Sequence, residues 1–390
     1  MTRTISHADA APDAAVDAAQ AEAAQAETAQ AETAQEKITR DAAPDIVANY
    51  RRNSRRKMLA IAALFVLALA AFVVATVIGP IDLGPVELVR ALWSPDSVDD
   101  TTRTVLWRLR LPASCMAVLI GAALSLAGSH MQTILDNPLA EPFTLGISAA
   151  AAFGSAASIV LGWMIVPSAQ FNLAAMAWVS ALVAAAVVIG ASMWRGAGAD
   201  SMILIGIALV FLFQALLSLM QYGASTEALQ QIVFWTMGSL QRANWASNLI
   251  LVIALAIAIP FTVANAWKLT ALRLGDARAA ALGINVQRLR IVTLVVASLL
   301  AASAVAFAGI IGFIGLVGPH IARMLVGEDQ RFFAPASMAA GALLLSAAHA
   351  LSITIIPGVA VPIGIITALV GVPFFVGMIF LRRRNLWGRG

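Results

Sequence analysis

The stretch "KLTALRLGDARAAALGINVQRLR", residues 268–290, separates two long apolar runs with five basic residues, one acid and an Ala-rich segment framed by Gly275 and Gly283. Asp276 reads as an N-cap, residues 277–282 are strong helix formers, and Gly283 suits the left-handed residue after a helix end. A helix of one and a half turns does not hold in water alone, so this one must pack against something else. Alanines at 277, 279, 280 and 281 let a partner backbone approach closely, and Asp276 and Arg278 offer polar contacts at the rim. A helix resting on lipid would carry a larger apolar face than four alanines and Leu282 supply. The segment reads as a docking knob.

The apolar runs on either side set the fold class. The 390 residues are 60% hydrophobic and 12% charged, with a mean hydropathy of +0.85, whereas soluble domains carry about a quarter charged residues. The expectation is an all-α, polytopic integral membrane protein. A bilayer core about 30 Å thick needs about 20 apolar residues per helix. Ten such spans fall near 58–78, 112–132, 142–162, 171–194, 202–221, 246–266, 290–307, 309–326, 335–356 and 362–381. With the N-terminus inside, 20 of the 25 Lys and Arg residues lie on the cytoplasmic side, as the bias of basic residues toward that side requires. Both termini are then cytoplasmic, and residues 268–290 face the cytoplasm.

Residues 1–50 differ from the rest. They hold nine acids, three bases and the tandem repeat AETAQ AETAQ at 26–35. A period of five fits neither helix nor strand, so this part reads as a disordered acidic cytoplasmic tail, and it lacks the basic-then-apolar pattern of a signal peptide. Residues 51–390 form the transmembrane domain.

Several chemistries are missing. The three lysines, Lys37, Lys57 and Lys268, never follow a glycine, so there is no phosphate loop for ATP. No span carries an Asp or Glu near its middle, which argues against a carrier that relays protons through the membrane. Cys115 is the single cysteine and neither disulfide nor metal spacing exists around it. No catalytic residue, resident metal or cofactor is expected, nor a nucleic-acid partner. His130, His320 and His349 each read first as packing residues.

Two further stretches are irregular. In "DNPLAEPFTLGIS", residues 136–148, Pro138, Pro142 and Gly146 forbid a regular helix, and such backbone near the membrane must be buried in protein or line an aqueous path. In "GIIGFIGLVGPHIARMLVGED", residues 309–329, glycines recur every third residue up to Pro319, which permits close helix packing and a local break. On the outer side, Arg90, Arg103, Arg108 and Arg110 crowd the first loop. Arg108 and Arg110, in "WRLRLP" at 107–112, are candidates for docking an acidic partner or for snorkelling beside Trp107.

The series RLP at 110–112, "GAALSLAGSHMQTILDNPLAEPFTLGIS", "FWTMGSL", "LGDARAAALGIN", "GFIGLVGPHIARMLVGEDQRFF" and "VPIGIITALVGVPFF" resembles the permease subunit of ATP-binding cassette (ABC) importers for iron siderophores, haem and vitamin B12. The resemblance runs in order from about residue 58 to 384. It implies the type II ABC importer permease fold with ten transmembrane helices, in the cytoplasmic membrane. It implies a second permease subunit, identical or not, two copies of a cytoplasmic ABC ATPase that bind ATP and Mg, and an extracellular or periplasmic substrate-binding protein. By the same resemblance the ATPase-coupling helix falls on Gly275, Asp276, Arg278, Ala280, Leu282 and Gly283, the cytoplasmic gate on Asn137 and Leu139, and binding-protein docking on Arg110 with Arg108 beside it. The chain departs from the pattern at Ala113, where a second Arg is usual, at His349 and Ile353, where Asp and Arg are frequent, and at Asp200 and Ser201, where small polar gate residues are usual. The competing reading is a secondary transporter or channel driven by an ion gradient.

Overall fold

The computed structural model describes residues 48–79, 84–195, 199–356 and 358–387; most of the tail expected over 1–50 lies outside them. The first helix, α1 (Ala48–Val77), is followed by α2 (Pro85–Trp93), then by α3 (Asp100–Thr104), which continues through a π-helical stretch (Val105–Arg110) into α4 (Leu111–Ile134). The chain proceeds through α5 (Ile147–Leu161), α6 (Ala169–Arg195), α7 (Ala199–Tyr222), α8 (Thr226–Thr236), α9 (Trp245–Leu272) and α10 (Asp276–Ala281). It ends with α11 (Val286–Ala308), α12 (Ile314–Val326), α13 (Gln330–Thr354) and α14 (Ile363–Trp387). No strand occurs among the described residues, and the described residues from Leu59 on form one compact unit.

Seven of these helices are long and apolar enough to span a bilayer, and α5, α12 and the first part of α14 are shorter apolar helices. Together they occupy the ten expected positions. Two begin five residues later than the sequence reading. The span near 142–162 becomes helical only at Ile147, after Gly146 turns the chain at φ 78°. The span near 309–326 begins at Ile314, because Gly309 ends α11 at φ 78° and Phe313 sits left-handed at φ 68°. A helix of 13 residues rises only about 20 Å, so α12 crosses part of the membrane and leaves an irregular segment buried in protein. The amphipathic α8, capped by Ser225 accepting from the Ala228 amide, has no counterpart among the ten spans.

The core forms around α4, where all residues but Cys115, Val118 and Leu119 are buried. It packs against α9, α11, α12 and α13. Small residues make this possible. A Cβ at Gly121 would lie 2.7 Å from the Gly341 carbonyl carbon, one at Gly128 2.6 Å from that of Gly315, and one at Gly318 3.0 Å from Ser125 Cβ. Ser125 also donates to Ser337 O across the same contact at 2.6 Å. Backbones meeting at this range gain dispersion and hydrogen bonding where apolar lipid gives no hydrophobic drive.

Candidate coupling and gating site

The connection after α9 builds a short exposed element. Gly275 turns the chain at φ 96° and is the N-cap of α10, without a side-chain cap. Asp276, expected to be the N-cap, is instead in the first turn, since the turn from Leu272 needs a φ that only glycine adopts freely. Its charge there suits the positive end of the helix. At the other end Gly283 is left-handed, as expected, at φ 78°. Its amide donates to Ala280 O at 2.9 Å and that of Ile284 to Ala279 O at 3.2 Å, which together close a Schellman motif. Only Ala279 of α10 faces the core; Asp276, Ala277, Arg278, Ala280, Ala281 and Leu282 are exposed. The element is held by one alanine beneath it and by two glycine turns.

Beside α10 lies the turn that follows α4. Asn137 Oδ1 accepts from the Leu139 amide at 2.9 Å, an Asx turn that shapes residues 137–139, while Asp136 is left-handed at φ 44°. Leu139 is exposed and lines a cavity of about 700 Å³ with Pro138, Arg273, His320, Arg323, Glu328 and Phe374. Asn137 therefore sets the turn, and Leu139 projects from it. Asp200 and Ser201 open α7 and are not among the residues lining this cavity.

Sequence reasoning missed what ties this region together. Arg273, at the end of α9, pairs with Asp136 at 2.6 Å and with Glu328 at 2.6 Å. Arg323 of α12 reaches Glu328 at 3.0 Å and Gln132 Oε1 at 2.8 Å. Arg290 of α11 pairs with Asp276 at 3.1 Å and donates through Nε to Ile134 O at 2.8 Å. Arg273 and Arg290 both lie in the stretch 268–290, where they counted only toward topology. Nothing in their spacing names an acid up to 137 positions away or a carbonyl 156 away.

Glu141 lies in the same connection, outside the helical spans. Its Oε2 is buried without a hydrogen-bond partner, although the residue as a whole is partly exposed. Burial pushes its carboxyl up from 4.5 to about 7. The folded protein then holds a proton that the unfolded chain releases, so this stabilisation is full at low pH and is lost as pH rises through the folded value. At about 1.4 kcal/mol per pKa unit the loss approaches about 3 kcal/mol. Between about pH 5 and pH 8 the melting temperature of the parent in detergent should fall relative to that of Glu141→Gln. Equal slopes in both proteins would assign the effect to another group.

The opposite end of α4 gathers the other candidates. Arg110 is buried, and its Nη1 donates to Val77 O at 2.8 Å at the end of α1. A Cβ at Gly79 would lie 2.8 Å from the guanidinium carbon, so glycine makes room for it. Arg110, Ala113, His349 and Ile353 all line one cavity of about 260 Å³, with Gln241. Each departure from the expected motifs in this region thus meets the one arginine retained there. Arg108 is exposed, and Arg103 is paired with Asp96 at 3.0 Å. Trp107 does not lie free beside lipid: its Nε1 donates to Ala91 O at 3.0 Å, and its carbonyl accepts from Trp245 Nε1 at 3.0 Å. His130 is buried and meets Thr262 Oγ1 at 3.0 Å, the packing role expected of it.

Comparison with known proteins covers most of the chain. The chain is 34% identical over 316 residues to the hemin transport system permease protein of Yersinia pestis, covering 80% of this chain and 93% of that one. It is 31% identical over 334 residues to the vitamin B12 import system permease protein of Vibrio vulnificus, covering 86% and 96%. A solved inward-facing structure of an ABC transporter described as metal-chelate type superposes with a TM-score of 0.73 at 31% identity, covering 82% of this chain and 98% of that one. The family model for the FecCD transport family matches residues 66–382, every transmembrane helix but the first half of α1, and the chain therefore belongs to that family of multi-pass ABC transporter permeases.

Proposed function

We propose that this chain is a permease subunit of an importer that carries a metal chelate, an iron siderophore or the related haem or corrinoid, across the cytoplasmic membrane. It pairs with a second permease subunit, identical or not, and is driven by two separate ABC ATPases that dock on α10. Both termini and α10 are cytoplasmic in this reading, and Leu139 is the inner gate. The observation that carries it is the geometry of α10, exposed at five of its six positions and bonded through Arg290 to the end of α4, from which the turn bearing Asn137 and Leu139 departs. A surface helix so placed passes movement inward, and a chain without a phosphate loop needs another protein to supply that movement. At the outer end, exposed Arg108 meets an acidic binding protein first, and the cavity beside Arg110 and His349 admits a carboxylate side chain from it.

Affinity-tagged chain in lipid nanodiscs tests both ends. It should retain a phosphate-loop ATPase from cells that express it, and hydrolysis should rise when the binding protein is added. Arg108→Glu should weaken that second response more at low salt than at high salt, since screening shrinks the difference. A tagged, folded chain that retains no ATPase would refute the importer reading.

A further inference from the structure

Arg290 stands in the second turn of α11, yet its bonds belong to two other elements. Nε donates to Ile134 O at 2.8 Å, the last residue of α4 before the gate turn. Nη2 lies 3.1 Å from each carboxylate oxygen of Asp276 on α10. The side chain of Arg290 is 11% exposed and that of Asp276 60%. An exposed charge on α10 is thus joined, through one shielded planar group, to the carbonyl from which residues 135–139 depart. That carbonyl belongs to the last turn of a helix, where no intrahelical donor remains, and a guanidinium holds both bonds in a fixed fork.

The backbone offers a softer route. α10 is joined to α9 through Gly275 and to α11 through Gly283, and a Cβ at either glycine would meet nothing within 4 Å. Both glycines carry a positive φ and meet open space, although Ile284 beside Gly283 is buried, so part of a push on α10 is absorbed there as rotation of the peptide units. Arg290 bypasses both joints. A second strut runs parallel to it, since Arg273 holds Asp136 of the gate turn against Glu328.

We propose that Arg290 is the positioning residue that transmits displacement of α10 to the turn carrying Asn137 and Leu139, by holding Asp276 and the end of α4 at once. The proposal rests on the reading of α10 as the ATPase-docking helix. Arg290 is not itself a docking contact, so its loss separates ATPase binding from gate movement. The coupling lies in the two simultaneous bonds, both made by the one planar guanidinium.

The only cysteine, Cys115, allows a direct readout. In a Cys115→Ser, Leu139→Cys chain in nanodiscs with its bound ATPase, the maleimide labelling rate at residue 139 is measured with and without ATP and vanadate. Arg290→Gln should retain ATPase binding and hydrolysis while the nucleotide-dependent change in labelling falls about tenfold, within the usual range of coupling between sites. Arg290→Lys pairs with Asp276 but lacks the fork, and should recover only part of the response. An unchanged response in Arg290→Gln, or full recovery by lysine, would overturn the two-bond strut. Loss of ATPase binding in both variants would reduce Arg290 to a support for α10 and also overturn it. A parent chain that binds no ATPase fails earlier, at the docking reading itself.

Discussion

Ala280→Arg should leave the chain folded in the membrane and strip it of its ATPase. Ala280 is exposed on α10, and arginine is nearly as good a helix former as alanine. Nothing inside the chain has to move, so the stability change stays within about 0.5 kcal/mol. A partner that reads α10 through its small residues meets instead a long charged side chain where it needed close approach. Substitutions of this kind at the centre of an interface cost about 2–4 kcal/mol, a weakening of about 30- to 1,000-fold. ATPase retention on tagged chain measures the loss, and the chain's own melting temperature shows that the fold survives. Ala279→Arg makes the contrast, because Ala279 is fully buried and a guanidinium forced under α10 should lower the melting temperature as well. ATPase retained at the parent level by Ala280→Arg would place the docking surface elsewhere.

The element in question was legible because its signals are local. Glycine at 275 and 283, the alanines between them and the basic residues around them all act within one turn of where they stand, and the structure moves only the N-cap, from Asp276 to Gly275. The ten spans were legible for the same reason: each is a run of apolar residues whose length is fixed by the bilayer. What failed were features that depend on residues far apart in the chain. Arg290 and Ile134 are 156 positions apart, and Arg273 and Asp136 137; a sequence shows the charges but not which helix ends meet. Helix starts also slipped where a left-handed residue delayed them. Phe313 at φ 68° is an aromatic residue where glycine would be usual, and nothing in "GIIGFIG" marks it over its glycine neighbours. The packing of Gly371 against it, where a Cβ would lie 2.6 Å from the Phe313 Cβ, is the tertiary cause.

The largest loss of stability should come from Gly341→Val, far from any candidate site. Gly341 of α13 faces Gly121 of α4, and a Cβ there would lie 2.9 Å from the Gly121 carbonyl carbon and press on Ser125. Overpacking a side-chain contact costs about 1–3 kcal/mol, because rotamers shift to relieve it. Here the opposing atoms are backbone, and α4 is also fixed two turns on by Gly128 against Gly315 of α12. The helices must separate, which breaks the Ser125 to Ser337 hydrogen bond as well, so the cost should exceed about 3 kcal/mol. Gly190→Val is the control, since a Cβ at Gly190 in the C-terminal part of α6 meets nothing within 4 Å. Unfolding in mixed detergent micelles should separate the two variants widely, and equal stability would refute the backbone contact. The same contact bears on transport. With α4 bound at backbone range to both α12 and α13, these three helices move as one body, and α4 cannot slide to open the path. On the proposed coupling, motion delivered at Ile134 is taken up by the turn beyond it, where Asp136 is already left-handed and Leu139 reaches into the cavity.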